Sequence, residues 1–387
     1  MKRKSSDGGP SVQSYLTAQI SASAVRANLE LLRRQLQPTT KLCAVVKADC
    51  YGHGLGLLLE TISSQADALA VAAPEEAIKV RSLGYRGPLL CFFSACGYAR
   101  GAELAEAQEE LISAGVIQTL VDVEEVLPIA ECARRLGAVA EVHVKVDTGM
   151  TRSGVAPASL PAMLERIGNE PSLKLSGIYT HFATADEADK TFARRQLDLL
   201  LRSVRTAGVS TGVVLHAANS AATIDLPESH LDMVRPGIAV YGYQPSDQMH
   251  RRLPLRPALR LVGRLLQVKA VQAGSSCGYG LTHTFNRDGR VGRVAIGYGD
   301  GYLRCWSNRA SVRIHGCDAP VCGRVSMDQI IIDLSGCPQS RPGDEVEIVS
   351  PDPTAPHSVE NLARLAETIP YEVTCRLGGR MDRVLVA

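Results

Sequence analysis

Short apolar runs alternate with amphipathic stretches along the chain up to Tyr243. Each run has the length of a buried strand, and the segments between runs carry apolar residues at helical spacing. Eight such alternations are typical of a closed parallel (β/α)8 barrel, a TIM-like α/β fold. An open doubly wound sheet is the competing prediction, which KADCYGHGLG disfavours because it lacks the G-x-G-x-x-G spacing. The runs begin at residues 41, 68, 88, 117, 140, 174, 212 and 234.

The pattern changes after Tyr243, where the proline-rich and polar stretch QPSDQMHRRLPLRP indicates a domain boundary. Beyond it, short β-branched runs alternate with glycine turns, and one helix is expected near HSVENLARLAET. These features predict a barrel followed by a β-rich C-terminal domain. The predicted limits are 1–13 for a disordered tail, 14–245 for the barrel and 246–387 for the β-domain.

The composition is that of an ordinary soluble protein, and it excludes several classes of partner. Charged residues make up 21% of the 387 residues and the net charge is +2, so no basic surface is expected for nucleic acid or for anionic membranes. No apolar run approaches the roughly 20 residues of a membrane span. The N-terminal MKRKSSDGGPSVQ leads into no apolar segment, so no secretion signal is expected and the predicted location is cytoplasmic.

The eleven cysteines are scattered along the chain and form no C-x-x-C pair. This distribution indicates free thiols in a reducing compartment. Cys317 and Cys322 have a spacing that a metal pair uses, but no second pair lies nearby. We therefore predict no metal site.

Reactive side chains follow the ends of five predicted barrel strands. Barrel enzymes carry their chemistry there because the loops after the strands converge on one rim. Taken alone, Lys47 is more simply explained as a lysine that extends out of a strand end into solvent. The repetition over five strands predicts a site on this rim instead. The residues are Lys47, then Asp147 and Arg152, then Tyr179 and His181, then His216 with Asn219 and Ser220 in its loop, and Arg235.

The fifth predicted strand, EVHVKVD, alternates so that charged groups share one face. On an exposed strand that face would be solvated. In a barrel the valines would pack on the helices and the charged face would point inward, which is tolerated only as a satisfied network. Lys145 is therefore expected to have an anionic partner. The two faces consist of Val142, Val144 and Val146, and of Glu141, His143, Lys145 and Asp147.

Two loops at the end of the predicted barrel have the composition of a phosphate site. HAANSA places Asn219 and Ser220 at a helix start, and RPGIAVYG offers the N–H groups of Gly237 and Ile238. Phosphate sites in barrels are commonly built from the loops after strands seven and eight. For either loop alone, an ordinary helix cap or a Pro-Gly turn explains the sequence equally well. Together with a lysine that can form an imine, the loops favour pyridoxal phosphate as cofactor.

At these residues the chain resembles the alanine racemases, pyridoxal-phosphate enzymes built from a barrel and a β-domain. The resemblance runs from about residue 14 to the end of the chain. It implies an isomerase that interconverts L- and D-alanine and supplies D-alanine for peptidoglycan. The motifs that carry it, in the order of the family, are AVVKADCYGHG, KVDTGMTRSG, THFATAD, HAANSA, VRPGIAVYG, GYG, IGYGDGY, GRVSMDQ and TIPYEV.

The resemblance implies a mechanism with one base on each face of the substrate. Lys47 corresponds to the lysine that binds the cofactor through an imine and is the base for the D-enantiomer. Tyr279, in CGYG, corresponds to the base for the L-enantiomer. Arg235 matches the arginine that meets the pyridine nitrogen, and His216 matches the residue that supports this arginine. Because a guanidinium keeps its proton, the ring nitrogen would stay largely unprotonated.

The other implied roles concern the phosphate, the substrate carboxylate and the surroundings of the bases. Lys145 aligns with a lysine that is carbamylated in many members, and a carbamate there would supply the missing anion and orient Arg152. His181 corresponds to a cofactor-site histidine that hydrogen-bonds the catalytic tyrosine. The remaining implied residues are Tyr51, Ser220, Gly237, Ile238 and Tyr371 for the phosphate, Arg152 and the N–H of Met327 for the carboxylate, Tyr298 at the inner entrance and Asp328 as a supporting residue.

The resemblance also implies a head-to-tail homodimer in which Tyr279, Tyr298 and Met327 reach the barrel of the partner subunit. Cys50 departs from the alanine usual in the family, so a thiol open to oxidation is expected near the cofactor lysine. Tyr371 stands where serine-preferring racemases carry a smaller residue, which favours alanine. The alternatives are a racemase of serine or another small amino acid, a non-catalytic pyridoxal-phosphate barrel protein, and a barrel decarboxylase.

Overall fold

The computed structural model describes residues 14–209, 211–378 and 380–387. The tail predicted over residues 1–13 lies outside the described residues. The chain forms two compact units. The barrel unit comprises residues 21–258, 369–375 and 385–387, and the β-rich unit comprises 259–368 and 376–384 together with the segment that ends at residue 20.

These limits differ from the predicted limits at both ends of the barrel. Residues 246–258 belong to the barrel unit, where the Asn28 side chain accepts a hydrogen bond from the Arg256 N–H and donates one to its carbonyl, both at 2.8 Å. At the other end, strand β1, Leu16–Ser21, pairs antiparallel with β10 of the β-rich unit, Leu259–Val271. Alternate residues of β1 are buried, as expected for a strand with one face on a core.

The barrel unit contains a closed barrel of eight parallel strands, which confirms the predicted fold. Each strand pairs with the next along the chain, and the last pairs with the first through Met233 and Lys41. Closure leaves the barrel without a free sheet edge. The strands are β2 Lys41–Val45, β3 Ala68–Val71, β4 Leu89–Cys91, β5 Ile117–Leu120, β6 Ala140–Lys145, β7 Leu173–Tyr179, β8 Val214–His216 and β9 Met233–Val234.

The helices of the barrel unit follow from apolar stripes and from caps. They are α1 Ala22–Arg33, α2 Leu55–Ser63, α3 Pro74–Ser82, α4 Gly101–Ser113, α5 Val126–Arg135, α6 Leu160–Gly168, α7 Thr191–Thr206 and α8 Ser220–Asp225. In α5, Val126, Ile129 and Ala133 are buried at helical spacing. Helix α3 begins with Pro74, and Glu76 accepts hydrogen bonds from two N–H groups of the preceding loop. Among the described residues, no helix combines the length and apolar character that crossing a bilayer requires.

The barrel register places two layers of side chains at different depths. Lys145, Tyr179 and His216 lie opposite one another at the carboxyl ends of β6, β7 and β8. His143 lies opposite Gly177, two residues earlier on the same strands. His143 is therefore one layer deeper in the barrel than Lys145.

The β-rich unit is built on one eight-stranded sheet, which confirms the second domain predicted from the sequence. Its remaining elements are β11 Ser276–Cys277, β12 His283–Thr284, β13 Gly289–Val294, β14 Ser311–Ile314, β15 Cys317–Cys322, β16 Ile330–Asp333, β17 Glu345–Val349, β18 Asp382–Val386 and α9 Val359–Leu365. The long strand β10 pairs with β1, β13 and β17. Trp306 is fully buried, and its indole N–H donates to the Leu362 carbonyl of α9 at 2.8 Å. Helix α9 is the helix predicted in this region.

Candidate active site

The chain leaves β2 through a left-handed helical turn that begins at Lys47. Ala48, Asp49, Cys50 and Tyr51 have φ angles of 51°, 54°, 58° and 52°. For residues other than glycine this conformation costs about 1–2 kcal/mol each. Such strain persists only where surrounding contacts over-determine it, and it is concentrated at functional sites.

The strained turn is held by a carboxylate and by close packing. Glu76 Oε1 accepts a hydrogen bond from the Ala48 N–H at 2.6 Å. Gly52 has a φ of 83°, and a side chain there would lie 2.2 Å from the Thr374 carbonyl oxygen. Thr374 belongs to helix α10, Pro370–Arg376, which packs against the turn within the barrel unit. These contacts fix the direction in which Lys47 leaves the strand.

The Lys47 side chain is partly buried on the rim and forms no ion pair among the described residues. Its Nζ lies 5.9 Å from the centroid of the Tyr51 ring. Burial and the nearby Arg152 guanidinium lower the pKa of Lys47, although Glu76 acts in the opposite sense. A lowered pKa increases the fraction of neutral amine, which is the form that adds to an aldehyde. This environment does not match that of a lysine extended into solvent.

Lys145 occupies the same rim at the end of β6. Burial, followed by the positive charges of Arg152 and Arg235, lowers the pKa of Lys145 to about 8. Asp147 is the nearest acidic residue along the strand, but its Oδ1 accepts hydrogen bonds at 2.9 and 3.0 Å from two N–H groups of its own loop. No described carboxylate forms an ion pair with Lys145, because Asp147 is used to shape the loop after β6. A carbamate as the source of the expected anion stays a prediction.

Arg235 is a buried cation that forms no ion pair with the described carboxylates. Its Nη2 donates to the carbonyls of Thr180 and Ala217 at 2.8 and 3.1 Å, and its Nη1 donates to Nδ1 of His216 at 2.6 Å. The guanidinium carbon lies 4.9 Å from the centroid of the Tyr179 ring. Burial lowers the pKa of Arg235 to about 10, so the group keeps its proton at neutral pH. Two of its five N–H groups have no acceptor among the described residues.

The loops after β8 and β9 form one compact turn around Ser220. Ser220 Oγ accepts hydrogen bonds from the N–H groups of Gly237 at 2.8 Å and Ala239 at 3.4 Å. Gly237 thus already uses the N–H that was expected to face a phosphate. The Ser220 hydroxyl proton and the Ile238 N–H have no acceptor in the described chain. A side chain at Gly237 would lie 2.1 Å from the Tyr51 hydroxyl oxygen, so this phenol fills the space that the glycine leaves.

Three tyrosines gather beside this turn. The ring centroid of Tyr51 lies 5.2 Å from that of Tyr241 and 6.0 Å from that of Tyr371 on α10. The Tyr241 hydroxyl donates to the Val45 carbonyl at 3.0 Å, which ties the group to β2. Burial raises the pKa of Tyr51 and of Tyr371. Both phenols therefore stay protonated and are able to donate hydrogen bonds to an anion.

His181 follows β7 on the same rim. Burial, together with the charges of Arg235 and Arg152, lowers its pKa well below the ordinary value. The imidazole is therefore neutral at physiological pH, and one of its nitrogens is able to accept a proton or a hydrogen bond.

Tyr279 lies in the β-rich unit, in a turn flanked by two glycines of positive φ, Gly278 at 72° and Gly280 at 71°. A side chain at Gly280 would lie 2.9 Å from Nη1 of Arg324, so the turn packs closely on this arginine. The Tyr279 side chain is 71% exposed. The turn thus presents its phenol at the surface, where it is available to a second molecule.

Tyr298 and Met327 are held together by paired loops of the β-rich unit. The Tyr298 N–H donates to the Ser326 carbonyl at 3.0 Å, and the Gly299 N–H donates to the Met327 carbonyl at 2.9 Å. The Met327 N–H, which the resemblance assigns to the substrate carboxylate, has no acceptor in the described chain. The two loops therefore present an aromatic ring and a free donor side by side.

Two residues that were not predicted from the sequence support these loops and the turn after β2. Arg380 bonds both oxygens of buried Asp300, at 2.9 and 3.0 Å, and it also bonds Asp328 at 2.7 Å. No local signal identifies Arg380, because its partners lie far away along the chain. Glu76 does carry a signal, since Pro-Glu-Glu is a typical helix start. Its bond to the Ala48 N–H is visible only in the folded barrel.

All eleven cysteines are free thiols. Cys50 is fully buried, and burial raises its pKa to about 12. The prediction that this thiol is open to oxidation is therefore wrong, because the thiolate is the reactive form. Cys317 and Cys322 lie at opposite ends of β15. The described residues contain no cluster of three or more side chains that is able to hold a metal ion.

Comparison with known proteins relates both units to one family. Residues 20–245 match the family model described as "Alanine racemase, N-terminal domain", and residues 258–385 match "Alanine racemase, C-terminal domain". The chain belongs to the alanine racemase family. The alanine racemases of Syntrophobacter fumaroxidans and Desulfovibrio desulfuricans are 38% and 39% identical to it over 366 and 374 residues. These alignments cover 93% and 95% of this chain, and 94% and 97% of those proteins.

A solved structure extends the similarity to three dimensions. The alanine racemase of the D-cycloserine producer Streptomyces lavendulae is 34% identical and superposes with a TM-score of 0.89, over 97% of this chain and 98% of that one. The site residues expected from the alanine racemase family fall into two groups. The barrel unit holds Lys47, Tyr51, Lys145, Arg152, His181, His216, Ser220, Arg235, Gly237, Ile238 and Tyr371, and the β-rich unit holds Tyr279, Tyr298, Met327 and Asp328.

Proposed function

We propose that the chain is a pyridoxal-phosphate-dependent racemase that interconverts L- and D-alanine. The observation that carries the proposal is the chemistry of the barrel rim. Lys47, whose pKa is lowered, begins a strained turn. The same rim holds buried Arg235, which has two N–H groups without an acceptor among the described residues. It also holds neutral hydrogen-bond donors around Gly237. This set of groups suits an aldehyde, a pyridine nitrogen and a phosphate on one molecule.

The residues of the rim fit pyridoxal phosphate. The Tyr51 phenol, the Ser220 hydroxyl and the Ile238 N–H would hold its phosphate. Lys47 would bind its aldehyde carbon covalently, and Arg235 would meet its pyridine nitrogen. When bound, the cofactor supplies an electron sink that makes the Cα proton of an amino acid acidic.

Racemisation requires that a proton leave one face of Cα and that another arrive on the opposite face. Lys47 Nζ would exchange the proton of D-alanine, and the Tyr279 hydroxyl would exchange that of L-alanine. The Arg152 guanidinium and the Met327 N–H would hold the substrate carboxylate. Arg235 retains its proton at neutral pH, so it does not pass one to the ring nitrogen, which limits side reactions such as transamination.

We infer further that two copies of the chain form a head-to-tail homodimer with shared sites. The β-rich unit of one chain would supply Tyr279, Tyr298 and Met327 to the barrel of the other. The exposure of Tyr279 at 71% and of Met327 at 54% supports this arrangement, because both side chains are accessible to a second chain.

Lys145 is proposed to be carbamylated. Its pKa of about 8 leaves an appreciable fraction of neutral amine at physiological pH. The neutral amine adds to carbon dioxide, forms the N–C bond of a carbamate and releases one proton. The resulting anion would pair with Arg152 and hold the guanidinium for the substrate carboxylate.

The proposal also covers the substrate and the biological role. Tyr371 narrows the site beside Tyr51, which favours alanine over serine. A non-catalytic barrel protein would have no use for the β-rich unit, and a decarboxylase would need an acidic group where Arg235 stands. We propose that the enzyme works in the cytoplasm and supplies D-alanine for peptidoglycan.

A chiral assay of the purified chain with L-alanine, with and without added pyridoxal phosphate, tests the proposal. We expect D-alanine only with the cofactor, and less turnover on L-serine. Lys47→Ala should abolish activity and the yellow absorbance of lysine-bound cofactor. Lys41→Ala, at the exposed start of the same strand, is the matched control and should retain both. Unchanged absorbance in Lys47→Ala contradicts the assignment.

A further inference from the structure

His143 has no role in the proposed reaction, yet it extends a line of hydrogen bonds from Arg235 into the barrel. Its Nδ1 lies 2.9 Å from Nε2 of His216, and Nδ1 of His216 lies 2.6 Å from Nη1 of Arg235. All three side chains are buried, with exposed fractions of 4%, 0% and 3% for His143, His216 and Arg235. Water therefore does not compete for these bonds.

The arginine determines where the protons lie along this line. A guanidinium only donates, so Nδ1 of His216 accepts and carries no proton. Burial and the Arg235 charge lower the pKa of both histidines, to about 3 for His143, so both rings are neutral at pH 7. A neutral His216 carries its proton on Nε2, and this N–H donates a hydrogen bond to Nδ1 of His143. The proton of His143 is then on its own Nε2.

The His143 ring fills the space that a glycine of the next strand leaves open. His143 on β6 lies opposite Gly177 on β7, and a side chain at position 177 would lie 2.6 Å from atoms of the imidazole ring. The ring occupies the space above this glycine, one layer below Lys145 and His216. Among the described residues, the hydrogen bond to His216 connects the His143 ring to the rim.

We propose that His143 is a positioning residue that holds His216 in the tautomer able to accept from Arg235. Without an acceptor beside Nε2, His216 is free to carry its proton on Nδ1, where it would oppose the arginine N–H. Among the described residues, the carbonyls of Thr180 and Ala217 would then be the remaining hydrogen-bond acceptors of the guanidinium. The two Arg235 N–H groups without an acceptor among the described residues would then point less accurately at the pyridine nitrogen. The proposal rests on the proposed function, in which these groups meet the pyridine nitrogen.

Nitrogen-15 NMR of the full-length protein with labelled histidine tests the proton order before any cofactor is added. In the wild type we expect an unprotonated Nδ1 and a protonated Nε2 on both histidines. His143→Leu removes the acceptor, and a population of His216 with its proton on Nδ1 should appear. His143→Asn retains an acceptor oxygen close to the position of Nδ1 and should restore the wild-type pattern.

Titration with pyridoxal phosphate measures the consequence at the rim. Losing one hydrogen bond to a charged group should weaken cofactor binding about tenfold in His143→Leu, and by no more than about twofold in His143→Asn. Val142→Ala is the matched control, because Val142 is buried on the outward face of the same strand. It should lower the melting temperature without changing the His216 tautomer or the cofactor affinity.

Three results would overturn the proposal. They are a wild-type His216 with its proton on Nδ1, a His143→Leu variant with unchanged tautomer and affinity, and a His143→Asn variant that behaves like His143→Leu. A wild-type chain that binds no pyridoxal phosphate would instead refute the proposed function, and the NMR measurement would still decide the proton order.

Discussion

At the scale of single residues, the barrel rim holds more positive charge than the described carboxylates neutralise. Lys47, Lys145, Arg152 and Arg235 form no ion pair among the described residues. Arg152 contributes to the lowered pKa of both lysines. Removing charged groups from water without a partner is costly. The cost is consistent with a site that receives an anionic cofactor and an anionic substrate.

Tyr279→Phe removes one phenolic oxygen and should separate the two proposed bases. Removal of the α-proton from L-alanine should fall by about hundredfold or more, and removal from D-alanine should fall less. Solvent deuterium incorporation into each enantiomer measures both rates. Tyr298→Phe, on a neighbouring loop, should affect the two enantiomers equally. Equal losses from both enantiomers in Tyr279→Phe would count against two separate bases.

The buried neutral histidines should make the fold sensitive to acid. The pKa of His143 falls from its ordinary 6.5 to about 3 in the folded chain. Between these values the unfolded chain binds a proton that the folded chain does not, so the free energy of unfolding falls as the pH drops below 6.5. His143→Asn should reduce this dependence. Urea denaturation at pH 7.5 and pH 5 measures it, and equal pH dependence in both proteins would refute the assignment.

At the scale of elements, the burial of residues on strand β6 follows the alternation of its sequence, whereas the left-handed turn after β2 does not follow from any local pattern. On β6, Val142, Val144 and Val146 are buried as the alternation predicts. At the start of this strand, Glu141 forms a partly exposed ion pair with Lys174 at 2.8 Å instead of facing the core. The left-handed turn after β2 has no such pattern. It exists because contacts from distant elements outweigh its local conformational cost.

Glu76→Gln tests how strongly α3 supports this turn. The amide keeps the size of the carboxylate but accepts the Ala48 N–H bond without a charge, so we expect a loss of about 1–2 kcal/mol in the free energy of unfolding. Covalent binding of pyridoxal phosphate to Lys47 should also slow. Thermal denaturation and the rate of absorbance change measure these effects. Glu75→Gln, on the exposed face of α3, is the control, and equal behaviour of the two variants would contradict the expectation.

At the scale of the whole molecule, the proposed site residues are divided between two units of one chain. Lys47 and Arg235 belong to the barrel unit, whereas Tyr279 and Met327 belong to the β-rich unit. A homodimer with shared sites would combine these groups twice, as expected for a symmetric pair. Each unit alone holds only one of the two proposed bases.

Mixing Lys47→Ala and Tyr279→Phe chains tests the shared site. Each variant alone should be nearly inactive. After subunit exchange, half of the dimers would be mixed and each would contain one intact site, so about a quarter of the wild-type activity should return. Chiral assay of the mixture, with exchange verified by mass spectrometry, measures this recovery. Absence of recovery after verified exchange would indicate that each site lies within one chain.

Much of the barrel and of its rim was predictable from local sequence patterns. The start of β2 at Lys41 follows from a short apolar run in the sequence. The positions of Lys47 and Arg235 follow from the ends of such runs. The bond from Gly237 to Ser220 was not predictable, because it depends on how two loops fold together. The hydrogen bonds between Asn28 and Arg256, which tie the end of the segment 246–258 to helix α1, were missed for the same reason.

The sequence by itself determined the order of strands and helices, the β-rich second unit and the positions of Lys47, His216 and Arg235 near strand ends. Those features follow from side-chain period and composition, which are properties of neighbouring residues. Only the tertiary structure decided that Ala48–Tyr51 turn left-handed, that no described carboxylate pairs with Lys145 and that Arg235, His216 and His143 form one line of hydrogen bonds. Each of these depends on groups far apart along the chain, which meet only when the barrel closes.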